Sequence, residues 1–161
     1  MQDTEIARVS ASAPRRVIGV AAMMGLGALL LYVALATPPS LMWQAFLVVL
    51  GIAALWGGQM LWQATGHALI LTEEALVDSD GTVVARLEDI AKVDRSPFAL
   101  KPSNGFLLIL KEPSSRVWRP GLWWRTGKRV AVGGVTSGAE TKPVADMIAL
   151  RIAPPMGFDP E

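Results

Sequence analysis

From Val17 through Thr72 the chain carries no Asp, Glu, Lys or Arg; every charged residue lies in 1–16 or 73–161. Two apolar runs fill most of that block. Val17–Ala36 (VIGVAAMMGLGALLLYVALA) has no charge at all, and Leu41–Gln63 (LMWQAFLVVLGIAALWGGQMLWQ) is polar only at Gln44, Gln59 and Gln63. As helices rising 1.5 Å per residue they reach roughly 30 and 34 Å, enough to cross a hydrocarbon layer about 30 Å thick. The link Thr37-Pro38-Pro39-Ser40 leaves room only for a tight reversal, because two prolines stop a helix there. The pattern predicts a transmembrane helical hairpin over 17–63, with spans at 17–36 and 41–63. A buried hairpin in a soluble core would need a larger protein around it than the remainder of this chain. A cleavable leader ending at Ala34-Leu35-Ala36 is the rival for the first run, which is longer than the usual apolar stretch of such leaders.

Beyond the block the apolar positions come in short runs. His67–Leu71 and Ala75–Val77 read as strands separated by Thr72-Glu73-Glu74, and Asp80-Gly81 is a hairpin turn that needs positive φ. Thr82–Leu87 follows as the return strand, and Ile90–Val93 continues past a bend. Phe98, between Pro97 and Pro102, falls in a loop or edge strand. Asn104-Gly105 opens Phe106–Lys111, then Arg116–Arg119 and Lys128–Val132 add two more strands before Gly133-Gly134 and Gly138 close the sheet. In Thr141–Ile152 the apolar Val144, Met147, Ile148 and Ile152 recur at helical spacing, with Pro143 in the first turn and Pro154-Pro155 as the stop. The expectation is a membrane protein with a small α+β domain over 67–153, mainly antiparallel β, closed by a C-terminal helix. Residues 1–16 and 154–161 are expected to be tails.

The segments Leu71-Thr72 to Leu76, then Asp80-Gly81, then Leu87, Ile90 and Val93, follow the two spans and precede the final helix. This arrangement resembles the bacterial pleckstrin-homology-like membrane proteins, over about residues 17–153. The resemblance rests on loose hydrophobic spacings. It implies a barrel-like domain that associates with protein or lipid, in the bacterial cytoplasmic (inner) membrane, and no defined reaction. Phe98–Phe106 and the tryptophan-rich segment are not general features of that family.

Charge adds orientation. Arg8, Arg15 and Arg16 precede the first run and the connecting link is uncharged, so the positive-inside rule places both termini in the cytoplasm. Arg15, Arg16, Trp43 and Trp62 are the candidate interface anchors, the two tryptophans standing about 28 Å apart along one helix. Ala21 with Gly25, and Ala54 with Gly58, have the small-xxx-small spacing that lets helices approach closely in lipid.

The net charge of +1 conceals a dipolar domain. Residues 73–94 are acidic, whereas the segment 113–139 carries five basic residues and no acid. Arg116, Trp118, Arg119, Trp123, Trp124, Arg125, Lys128 and Arg129, expected in a tryptophan-rich loop, form the candidate lipid- or partner-binding site. Three environments suit such a segment: anionic headgroups with tryptophans in the interface, a protein partner at a Trp/Arg hot spot, or a core in which the arginines only cover the rings. Nucleic acid is a poor fit for a domain whose charges cancel.

Composition removes most chemistry. With no cysteine, thiolate catalysis, Fe–S clusters and cysteine-ligated zinc are excluded, and the single histidine, His67, excludes a multi-histidine metal site. No phosphate-cradling glycine motif or nucleophile elbow is present. The sequence therefore predicts no catalytic residues, no metal and no cofactor. The expected role is a non-catalytic accessory or scaffold subunit that binds the bilayer and another membrane protein or anionic lipid. The alternative is a small membrane enzyme or transport-associated subunit active only with a partner.

Overall fold

The structure is a computed structural model that describes residues 4–37, 39–96 and 101–153. Pro38, the predicted loop at Phe98 and the tail 154–161 lie outside the described residues. Two long helices, α1 (Ala13–Ala36) and α2 (Leu41–Ala64), pack antiparallel as a hairpin, and each is long and apolar enough to cross a membrane. Helix α1 starts four residues before the apolar run because Ser12 stands at its N-cap and Pro14 in its first turn, where a missing N–H costs nothing.

Glycines set the packing of the two helices. A Cβ on Gly27 would lie 2.7 Å from Leu55 and 2.9 Å from the Gly51 carbonyl, and a Cβ on Gly51 would lie 3.1 Å from the Gly27 carbonyl. The backbones touch there, with Ala34, Ala54 and Gly58 also buried in the seam. Gly58 meets Met23 and Met24. The pair expected in the first span does not face α2: Ala21 is exposed, and nothing lies within 4 Å of a Cβ on Gly25.

Among the described residues the domain has seven strands in two antiparallel sheets with a closing helix. Strands β1 (Ala7–Ser10), β2 (Ala68–Leu71), β3 (Ala75–Asp78) and β4 (Val83–Arg86) form one sheet in that order. A 3₁₀ turn at Leu87–Asp89 leads to β5 (Ile90–Asp94), which pairs with β6 (Phe106–Arg119), and β6 pairs with β7 (Trp123–Val132). Helix α3 (Gly138–Ile152) follows, its N-cap Ser137 accepting from the Ala139 N–H. Leu69, Leu71, Leu76, Val84, Phe106, Leu108, Leu122, Trp123, Val130 and Val132 from the sheets meet Val144 and Ile148 from α3 in one core.

Two elements depart from the sequence expectation. Residues 7–10, expected as tail, form β1, with Ser10 opposite Ala68 and Ala7 opposite Leu71. Val9 is fully buried in the core, so the strand is held by an apolar side chain as well as by its ladder. The helical hairpin is thus inserted between two neighbouring strands. Only Ala11-Ser12 joins β1 to α1 and only Thr65-Gly66-His67 joins α2 to β2.

The second departure is the tryptophan-rich segment, which is strand rather than loop. Ten residues of β7 drawn straight would span about 33 Å. Instead the Gly133 N–H donates to the Leu122 carbonyl at 2.9 Å, so the two ends of β7 meet. The β6–β7 ribbon is rolled back on itself, with register shifts either side of Ser114 and Gly127 opposite it at φ +57°.

Candidate functional site

The rolled ribbon sorts its side chains by alternation. On its inner face lie Val117, Arg119, Trp123 and Arg125, and on its outer face Arg116, Trp118, Trp124 and Thr126. Trp123 is fully buried and donates its Nε1–H to Asp78 at 2.8 Å. Arg125 is 8% exposed. Its guanidinium donates to the carbonyls of Ser115, Val83 and Val84 and to the Ser115 hydroxyl. Desolvation pushes its pKa below the ordinary arginine value. Arg125 therefore ties the outer edge of β4 to the ribbon and closes the corner between the sheets. Neither Trp123 nor Arg125 is free to meet a ligand, which corrects their assignment to the binding set.

The outward set is different. Trp118 is 58% exposed and sits directly across the ladder from half-buried Trp124, with exposed Arg116 beside it. Lys128 and Arg129 are exposed on the next stretch of β7. The turn joining the strands, Pro120-Gly121-Leu122, seats this surface. Gly121 is at φ +80°, and a Cβ there would strike Leu61 at 2.6 Å and Thr65 at 3.0 Å. The turn is thus pressed against the last turn of α2, and three extended residues from Gly121 to Trp118 span no more than about 10 Å.

The same end of the hairpin is fastened by the paired arginines. Arg15 donates to the Thr136 carbonyl at 2.8 Å. Arg16 stacks 3.9 Å from the centre of the Trp62 ring and donates to the Trp62 carbonyl at 3.0 Å. A cation at the C-terminal end of α2 meets carbonyls that have no helical partner and the negative end of the helix dipole. At the far end, Trp43 is exposed and packs edge-on against Phe46.

Between ribbon and hairpin lies a polar hub that sequence reasoning missed. Asp78 occupies an inward position on β3, two residues after Leu76, and its side chain has no solvent exposure. It accepts from Trp123, lies 3.1 Å from His67 Nδ1 and stands 3.9 Å from Arg119 Nε. Arg119 also pairs with Asp80. The side-chain and backbone hydrogen bonds of Thr82 hold Asp80 below the usual carboxylate range, with Arg119 and His67 adding to the effect. His67, Asp78 and Asp80 offer ligand atoms within 4.8 Å of one another. Arg119 already supplies the positive charge at both aspartates, so the cluster has the character of an ion-pair network rather than a cation site. The adjacent acids Glu73, Glu74, Glu88 and Asp89 are all exposed.

Of the eight residues expected in one binding segment, the structure brings Arg116, Trp118, Trp124, Lys128 and Arg129 to the surface, turns Arg119 to the hub, and buries Trp123 and Arg125. Alternation along Trp123-Trp124 signals that one ring faces in and one out, but only the strand register says which. Comparison with known protein families, with curated proteins and with solved structures finds no match.

Proposed function

We propose that this protein is a non-catalytic accessory or scaffold component of the bacterial cytoplasmic membrane. In this reading it crosses the bilayer twice, and its cytoplasmic, pleckstrin-homology-like domain rests its outer Trp–Arg surface on anionic lipid headgroups. Several features support it. The two helices have the length and apolarity of spans. Pairing of β1 with β2 requires both outer ends of the hairpin on one side of any bilayer it crosses. Arg15 and Arg16 stand at that end, on the side the positive-inside rule assigns to the cytoplasm. The four-plus-three strand arrangement closed by a C-terminal helix is consistent with the pleckstrin-homology-like resemblance.

The observation that carries the lipid assignment is the seat of Gly121 on Leu61 and Thr65. It holds exposed Trp118 within about 10 Å of the end of α2, and the headgroup layer is about 5–8 Å deep on each side. Tryptophan favours that layer, and each basic residue near an anionic surface contributes about 1 kcal/mol. Arg116 shares the outer face with Trp118 and is the outward basic residue of the ribbon nearest the turn.

The test uses the full chain, which has no native cysteine. A Thr126→Cys variant places a thiol on the outer face beside Trp124. Labelling by an uncharged maleimide should be several-fold slower in phosphatidylglycerol nanodiscs than in phosphatidylcholine nanodiscs, and the difference should vanish in high salt. Equal rates in both lipids refute headgroup contact. Protection seen only in native membranes assigns the surface to a membrane-protein partner instead.

A further inference from the structure

Three glutamines lie in α2, and their surroundings differ. Gln44 is half-buried and donates its amide to the Ala34 carbonyl at 3.0 Å, so its polar group is satisfied within the hairpin. Gln63 stands at the helix end beside Trp62. Gln59 is one turn deeper, exposed on the outer face, and its amide makes no hydrogen bond among the described residues. Taking Trp62 as the interface level, Gln59 starts about 4.5 Å inside it. Side chains lean toward the N-terminus of their helix, which for the cytoplasmic end of α2 is toward the bilayer centre. The Gln59 amide is therefore directed away from water, into hydrocarbon that offers it no partner.

The surrounding residues form a regular seam. Ala45, Val49, Ile52, Trp56, Gln59 and Gln63 are all exposed and spaced four, three, four, three and four residues apart. Five steps over eighteen residues average 3.6, the pitch of a straight α-helix, so these side chains form one continuous stripe along the outer face of α2. A primary amide is both donor and acceptor. Across a two-fold axis along the membrane normal, two copies of α2 run parallel, and each Gln59 meets its counterpart at the same depth. Each amide then donates to the other, the membrane counterpart of a single polar residue fixing register in a coiled coil.

We propose that the outer face of α2 is the interface of a parallel homodimer, registered by a Gln59–Gln59 amide pair. The inference rests on the membrane reading given above. Single-cysteine variants of the full chain test it in native membranes. Ile52→Cys should cross-link to a dimer on oxidation, whereas Leu29→Cys on the outer face of α1 should not. Adding Gln59→Leu to Ile52→Cys should weaken the dimer roughly tenfold, the scale of the two interhelical hydrogen bonds lost, and Gln59→Asn should preserve it in part. Equal cross-linking from both helices, none from Ile52→Cys, or an unchanged dimer with Gln59→Leu overturns the proposal. So does capture of Ile52→Cys by a different protein. Extraction of the chain by alkaline carbonate would instead defeat the membrane reading itself, while a retained but uncrosslinked chain defeats only the dimer.

Discussion

Replacing Asp78 by alanine should destabilise the domain more than any other single polar change at the hub. The carboxylate has no solvent exposure. Its removal orphans the Trp123 indole N–H in the core, which costs about 1–3 kcal/mol as an unsatisfied buried donor. It also takes a negative charge from beside Arg119, whose Nε is already buried without a hydrogen-bond partner. Arg119 is a third exposed and keeps Asp80 as a partner, so the lost indole hydrogen bond dominates and about 1–3 kcal/mol is the loss expected for Asp78→Ala. Asp78→Asn keeps an acceptor for Trp123 and loses only the charge, so about 1–2 kcal/mol is expected, near the net worth of a charged hydrogen bond. Trp123→Phe removes the donor from the other side, and a double-mutant cycle with Asp78→Ala should return a coupling of about 1–3 kcal/mol. Guanidinium unfolding of the full chain in micelles, followed by near-ultraviolet circular dichroism, reads these values. A stability for Asp78→Ala within about 0.5 kcal/mol of wild type, the range of an ordinary surface substitution, would refute the role given to the hub.

Other outcomes follow from the packing. Gly27→Leu should force the two helices apart, since its Cβ alone would sit 2.7 Å from Leu55; a cost of about 1–3 kcal/mol is expected. Gly25→Leu, with open space around its Cβ, should cost far less in the same detergent melt. Arg125→Met should loosen the corner between β4 and the ribbon by leaving the Val83 and Val84 carbonyls without their donor, seen as faster amide exchange in Val83–Arg86. For pH, Asp80 titrates below its unfolded value, so its contribution is complete above about pH 4 and is lost as pH falls through the lower folded-state value. Asp80→Asn should flatten that acid limb of the stability curve. Finally, excising residues 12–66 and joining β1 to β2 by a short Asn-Gly turn should yield a water-soluble domain, because Ser10 and Ala68 are already direct partners. Aggregation of that variant with loss of tryptophan dichroism would count against the strand pairing.

What could be read from the sequence was whatever had a local signature. Uninterrupted apolar runs gave both long helices, and 3.6-residue spacing gave α3; α1 starts four residues early because Arg15 and Arg16 lie inside it. Strand β1 escaped notice because four residues have no periodicity of their own and their partner lies beyond the whole hairpin. Pro113, Ser114 and Gly127 look like loop punctuation, yet here they bend a continuous ribbon. Asp78 was hidden for a simpler reason: the predicted strand stopped at Val77, although one more residue at the parity of Leu76 would have placed a carboxylate in the core. Small-residue spacing alone did not pick out the face of α1 that meets α2, since glycine and alanine occur all around that helix and Gly27, not Gly25, makes the contact.

The insertion of the hairpin between β1 and β2 also orders events during synthesis. Strand β1 is made first and has no neighbour until both helices and then β2 have left the ribosome. In a membrane, the sheet closes only when the chain has crossed and returned; a hairpin that fails to return leaves β1 and β2 on opposite sides, with Leu69 and Leu71 uncovered. On the proposed membrane reading, closure of the β1–β2 ladder therefore requires both helices to be in place, so folding of the domain reports their insertion.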